Sequence, residues 1–418
     1  MMAMAMPKKV LILTADAGFG HRAAANAVAE ALGERYGADC AVTIVNPLHE
    51  RRAARVLRLA QDDYDRMIRQ SPELYRLGYE ASDSAFPVSI AEQALVAMMY
   101  VNMRALVAAH QPDAIVSTYP LYQAPLAALF ALSGRYTPLL VVVTDLVSVH
   151  GLWFNSDVDR CLVPTQAVLE KALESGLAAD CVEITGLPVS PALAREVDKA
   201  ALRSRLGWSP DRTVALLAGS RRVTRLEPTE DMLDHCGWPL ELALVSGGDT
   251  ELEQRWSARV WHQPAHIYGY VDDMPSLMLA ADLIVCKAGG LIVSEALAAG
   301  LPLLMVEAIP GQEEGNATHV TEGGAGVLAV DPLEALATVC HWLENGAAGL
   351  AERAARARAL GRPQAAYRVA ELAWQAAQQG VRSREHRFGR QIPLLQQILR
   401  SRDLIRAPRG KRRAQPVT

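Results

Sequence analysis

Short apolar runs bounded by glycine or polar turns recur along the chain and alternate with stretches of helical periodicity. Val10 to Thr14, Ala41 to Val45, Ala114 to Ser117, Leu139 to Thr144 and Cys161 to Val163 each read as a buried strand. Thr213 to Ala218, Leu242 to Ser246, Ile267 to Val271, the ADLIVC run ending at Cys286, and Leu303 to Val306 repeat the pattern further on. Between them, Arg22 to Leu32, Leu291 to Ala299 and the alanine-rich stretch Ala351 to Gln379 read as helices. Strands alternating with helices throughout predict an α/β protein with parallel sheets and right-handed crossovers. In such sheets ligands lie beyond the carboxyl ends of the strands, which for two facing domains means the cleft between them.

Composition adds the division and the surroundings. The 418 residues, 50% hydrophobic and 21% charged, suffice for two cores, and the expected organisation is a Rossmann-like unit over 1–190 and a second over 191–365. A closing helix over 366–380 and a basic tail over 381–418 complete it. The net charge of −4 hides an asymmetry, because that tail carries eleven Lys or Arg against Glu385 and Asp403. With few aromatics and no nucleic-acid motif, the tail suits an anionic lipid surface or disorder rather than nucleic acid. Arg51, Arg52, Arg55 and Arg58, followed by apolar stretches near Ala94 to Val101, suit either an interfacial surface or a solvated helix face. No apolar run approaches bilayer length and no signal peptide is recognised. The six cysteines are scattered without a CxxC pair, which predicts reduced thiols.

Candidate chemistry concentrates between Lys287 and Gly326. Gly289 and Gly290 separate a strand from a helix, so backbone can approach a ligand closely and the first-turn N–H groups can hold phosphate. Glu295 lies one turn further on, where a carboxylate can accept hydrogen bonds from the vicinal hydroxyls of a ribose. The turn Pro310 to Asn316 gathers Gln312, Glu313 and Asn316, side chains suited to sugar hydroxyls.

A second glycine loop, Ala15 to His21, follows the first strand. Gly18-x-Gly20-x-x-Ala23 formally fits a dinucleotide fingerprint, but that fingerprint wants an acid at the end of the second strand, where Asn46 stands. The alternative is that the loop presents His21 at a helix start, which disfavours imidazolium and leaves a neutral general base. Asp145 is placed to orient or stabilise that histidine, or to cap a loop. Asp157-x-Asp159 and Asp63-x-Asp65 mimic a metal-binding pair, yet they read as cap and helix residues, so no essential metal is expected.

GYVDDMPSLM (Gly269 to Met278), KAGGLIVSEALAAGLP (Lys287 to Pro302) and PGQEEGNA (Pro310 to Ala317) resemble the nucleotide-sugar half of family 28 glycosyltransferases, of the monogalactosyl- and glucosyl-diacylglycerol synthase type. TDLVSVHGLWF (Thr144 to Phe154), DRCLVPT (Asp159 to Thr165) and ITGLPVSP (Ile184 to Pro191) extend the resemblance through the first domain. It implies a GT-B fold, two Rossmann-like domains with parallel sheets facing an interdomain cleft. It also implies UDP-galactose or UDP-glucose as donor, no cofactor, diacylglycerol or a related lipid as acceptor, and a β-glycoside as product.

By the same resemblance His21 is the catalytic base. Gly18, Phe19 and Gly20 lie on the acceptor side, Trp153 either meets an acyl chain or sugar there or packs in the core, and the backbone at Val271 faces uracil. Gly219, Ser220, Arg221, Gly289, Gly290 and Leu291 surround the diphosphate. Family members carry several glycines after the strand that ends at Ala218, and this chain keeps only Gly219, with Arg221 offering charge instead. The expected location is cytoplasmic, peripheral to the inner face of the cell membrane. Two other readings stay open: N-acetylglucosaminyl transfer to a lipid-linked peptidoglycan precursor, and a non-catalytic UDP-sugar sensor.

Overall fold

The computed structural model describes residues 6–16, 20–49, 85–220, 223, 225–344 and 347–383. Gly18, Phe19, the arginines from Arg51 to Arg58, Asp63, Asp65, Arg221 and the tail beyond Ser383 lie outside the described residues.

Two six-stranded, wholly parallel sheets form the frame. The first is built from β1 (Lys8–Leu13), β2 (Cys40–Val45), β3 (Ala114–Ser117), β5 (Leu139–Val142), β6 (Arg160–Val163) and β7 (Val182–Ile184), in the order β2-β1-β3-β5-β6-β7. The second contains β8 (Thr213–Ala218), β9 (Leu240–Val245), β10 (Ala265–Tyr268), β11 (Leu283–Lys287), β12 (Leu303–Glu307) and β13 (Gly326–Leu328), in the order β10-β9-β8-β11-β12-β13. A short antiparallel pair joins β4 (Arg135–Tyr136) to β14 (Arg382–Ser383).

Both faces of each sheet are covered, which is why the strands read as unbroken apolar runs. Leu11, Leu13, Ile115 and Val141 enter one core, while Val10, Ile12, Val116 and Val142 enter the core on the opposite face. Val214, Leu216 and Ile284 oppose Ala215, Leu217 and Val285 in the same way in the second sheet. Burial of each such Val, Leu or Ile side chain contributes about 1.5–3 kcal/mol, offset by the ordering of the chain.

The chain passes between the lobes twice. It leaves the first after β7 and returns where the stretch from Ala351 to Gln379, expected as one helix, is divided into Ala347–Leu360 and Ala365–Gln379. Gly361 and Pro363 make the break: a side chain on Gly361 would lie 2.3 Å from the Leu297 carbonyl, and Pro363 has no N–H to continue the ladder. The last helix then returns Ala366, Val369, Ala370, Ala373 and Ala377 to the first sheet. The two crossings touch, because Gly186 (φ +88°) leaves only 2.4 Å between its would-be Cβ and Cβ of Arg362.

Each strand order reverses once, between β1 and β3 and between β8 and β11. These reversals fall at the carboxyl ends of the strands, the place where open parallel sheets in general hold their ligands.

Candidate active site

His21 follows β1 and is the second residue of the helix Gly20–Tyr36. Its loop is fixed by Asp16, which accepts two bonds from Arg22 at 2.8 and 3.1 Å and one from Asn46 Nδ2 at 2.8 Å. Asn46 therefore serves this loop from the position where a dinucleotide site would need an acid.

The imidazole meets the other side of the crevice. His21 Nδ1 lies 3.0 Å from the Thr118 carbonyl, beyond β3, and 2.6 Å from Thr144 Oγ1, beyond β5. A carbonyl only accepts, so this network assigns the proton to Nδ1 and leaves Nε2 with the lone pair. Burial pushes the His21 pKa down to about 4, against the opposing effect of the Thr118 bond. Desolvation, rather than the helix start invoked from sequence, is thus the main cause of a neutral ring.

Asp145 does not take the place expected for it. No bond joins it to His21; instead its Oδ2 accepts the Trp153 indole N–H at 2.7 Å, and the Trp153 ring lies 6.1 Å from the His21 ring. Burial pushes the Asp145 pKa up to about 6, and the Trp153 bond opposes that rise. Of the two parts open to Trp153, acceptor contact and core packing, the structure shows the second: it is 1% exposed and belongs to the first core. Tyr119, which the sequence did not single out, meets His21 edge-on at 4.9 Å.

The second lobe contributes the loops after β8, β9, β10, β11 and β12. Gly289 caps the helix Gly290–Ala299 without any side-chain bond. Gly290 abuts the first lobe: its would-be Cβ lies 3.6 Å from the Leu146 N and 3.7 Å from the Thr144 carbonyl. Gly315 is tighter still, with Ser148 Oγ at 2.7 Å and Val147 Cγ1 at 3.0 Å from the same point. Leu146 and Val147 pack into the core of the second lobe. The two lobes therefore meet beside His21.

Glu295 is partly buried and, among the described residues, makes no hydrogen bond or ion pair. Burial pushes its pKa up to about 7. Glu313, expected to bind sugar, is committed to the protein: Oε1 pairs with Lys287 Nζ at 2.7 Å and Oε2 accepts from Ile309 N at 2.9 Å. Asn316 is 3% exposed, donating from Nδ2 to the Ala288 carbonyl at 3.0 Å while Oδ1 has no partner. Both residues thus shape the glycine turn, and Gln312 lies partly buried between them and Gly311.

Gly219 also differs from its expected part. Its N–H is donated to Val245 O at 2.8 Å, and a side chain there would crowd Leu252, Leu226 and Trp256 at 3.0–3.1 Å. It is a packing glycine, followed by the partly buried Ser220. Val271 stands in the turn beyond β10, which ends at Tyr268, and packs with Leu291 against the second core.

Two carboxylate groups with metal-like spacing lie at the opposite, amino-terminal edges of the sheets. Asp159 Oδ2 accepts from the Tyr136 hydroxyl and from Leu139 N. Asp234 clusters with His235 and His262 just before β9 and β10, and Arg259 Nη2 already pairs with its carboxylate at 3.1 Å.

Two facing Rossmann-like lobes with ligand loops at the carboxyl edges define the GT-B architecture. It is shared with MurG of Acinetobacter baumannii, at 17% identity over 88% of this chain and 100% of that one, TM-score 0.55. HepE of Anabaena, whose structure was determined with UDP and glucose, matches at 18% identity over 89% and 99% of the two chains, TM-score 0.50.

Residues 21–189 match the monogalactosyldiacylglycerol (MGDG) synthase family, and 227–366 match the glycosyltransferase family 28 C-terminal domain. A probable monogalactosyldiacylglycerol synthase 2 of Oryza sativa subsp. indica is 33% identical over 379 residues, covering 87% of this chain and 80% of that protein. The chain belongs to the monogalactosyldiacylglycerol synthase family and is a glycosyltransferase. The relatives overturn one expectation: they are named as chloroplastic, which does not fit the cytoplasm and the inner face of the cell membrane. Among the described residues no helix is long and apolar enough to cross a membrane.

Proposed function

We propose that this protein transfers a hexose, galactose or glucose, from its UDP derivative to diacylglycerol or a related lipid, with inversion to a β-glycoside. The observation that carries this reading is the junction of His21, Thr144 and Gly290. A neutral imidazole with its lone pair on Nε2 stands one residue away from an uncapped helix start that can hold phosphate. The acceptor hydroxyl gives its proton to His21 Nε2 as its oxygen attacks the anomeric carbon. The bond from that carbon to the phosphate oxygen breaks, and UDP leaves with the electron pair.

In this reading residues 1–190 take the acceptor and 191–365 hold the donor. Glu295 accepts from the ribose hydroxyls, the Val271 backbone faces the base, and Gln312 with Asn316 Oδ1 meets the hexose. Gly289, Gly290 and Leu291 supply backbone to the diphosphate beside Ser220. The helix Ala85–His110 exposes Ile90, Ala94, Ala97, Val101 and Arg104 along one stripe, with Ile90 54% and Val101 52% exposed. Such a stripe suits peripheral contact with an anionic lipid surface.

Vesicles containing diacylglycerol test the reading. Incubation with UDP-galactose or UDP-glucose is expected to yield UDP and a glycolipid whose anomeric coupling in NMR is that of a β-linkage. Binding of UDP-sugar with no glycolipid from either donor contradicts transfer and favours a sensor.

A further inference from the structure

Lys287 is the last residue of β11, two positions before Gly289, and its ammonium bonds to Glu313 Oε1 at 2.7 Å. Both side chains are largely enclosed, at 13% and 9% exposure. Measured from the point where a side chain on Gly289 would begin, Glu313 Oε1 lies at 3.6 Å and Lys287 Cε at 3.9 Å. The ion pair therefore flanks the peptide that caps the helix Gly290–Ala299.

Glu313 is held from both sides, by Ile309 N on its other oxygen and by its place in the turn that Asn316 ties to Ala288. Among the described residues Glu313 is the single partner of Lys287. An ammonium has three donors, so two remain for a further acceptor at this loop.

Gly219, the one glycine kept in the loop after β8, spends its N–H on Val245 O and turns its open side to Leu252 and Trp256. On the β11 side a cation stands next to unbonded helix N–H groups, a pairing suited to a diphosphate.

We propose that Lys287 is a donor-binding cation that hydrogen-bonds the diphosphate of the UDP-sugar and takes up the charge developing on it as the glycosidic bond breaks. The electron pair stays on the phosphate oxygen, and the ammonium keeps its proton. Glu313 is the positioning residue that aims it. This rests on the UDP-sugar reading above.

Calorimetric titration with UDP and with uridine, combined with steady-state kinetics, tests the role. Lys287→Met is expected to weaken UDP by at least about tenfold and to lower kcat by roughly a hundredfold, leaving uridine within about twofold. Lys287→Arg should retain most of the UDP affinity. The double variant Lys287→Met, Glu313→Gln removes the unpaired carboxylate and should remain as weak for UDP as the single one. Recovery of UDP affinity in the double variant, equal losses of UDP and uridine, or unchanged UDP binding in Lys287→Met would each overturn the assignment. Failure of the wild type to make glycolipid is a separate outcome, which these affinities do not depend on.

Discussion

The Thr144 hydroxyl lies 2.6 Å from His21 Nδ1, while the carbonyl of the same residue lies 3.7 Å from where a side chain on Gly290 would begin. One residue beyond β5 thus touches the candidate base and the candidate phosphate loop together. Losing the hydroxyl releases one constraint on the ring while Thr118 keeps the other. Thr144→Val is expected to lower kcat by roughly tenfold with little change in UDP affinity, and Thr144→Ser to remain near wild type. Kinetics and calorimetry on the two variants check this.

Glu295 supplies a pH signature. Its folded-state pKa is raised to about 7 by burial, so near neutrality it is partly protonated. Hydroxyls that donate to it favour the ionised form, so uridine should bind more tightly as pH rises from 6 to 8, by about threefold to tenfold. Uridine avoids the phosphate's own titration. Glu295→Gln is expected to flatten the profile, and a slope that survives in the variant contradicts the assignment.

Gly315 tests the contact between lobes. A methyl group there would stand 2.7 Å from Ser148 Oγ and 3.0 Å from Val147, so Gly315→Ala must push the two lobes or their loops apart. Turnover should fall by roughly tenfold while uridine binding, confined to the second lobe, changes by less than about twofold.

The Asp145–Trp153 pair carries a stability prediction with a definite sign. Asp145 has a folded pKa raised from 3.8 to about 6, so its ionisation weakens the folded state as pH rises from 3.8 through 6. Trp153→Phe removes the N–H that softens this. The variant should lose about 1–3 kcal/mol, and more at pH 8 than at pH 5, as read from urea unfolding at the two pH values.

Much of the frame was legible because parallel strands covered on both faces leave continuous apolar runs, and because helix starts carry glycine. His21, Gly289 and Gly290 stand out by residue type at turns after strands, and Glu295 by its spacing one turn into the helix that follows. Thr118 and Thr144 were not, since a threonine at a strand end is ordinary until the fold brings two such ends to one imidazole. Glu313 and Gly219 looked like ligand groups because sequence shows what a residue can bond, not whether a neighbour has taken it. Asp145 was paired with His21 on the same grounds, and the buried indole of Trp153 claims it instead.

The most direct test is turnover of the His21→Ala variant with UDP-hexose and diacylglycerol vesicles, measured beside its affinity for UDP. A positioned base contributes roughly 10²–10⁴-fold. The account predicts a loss of kcat in that range with UDP affinity intact; turnover within about tenfold of the wild type would contradict it.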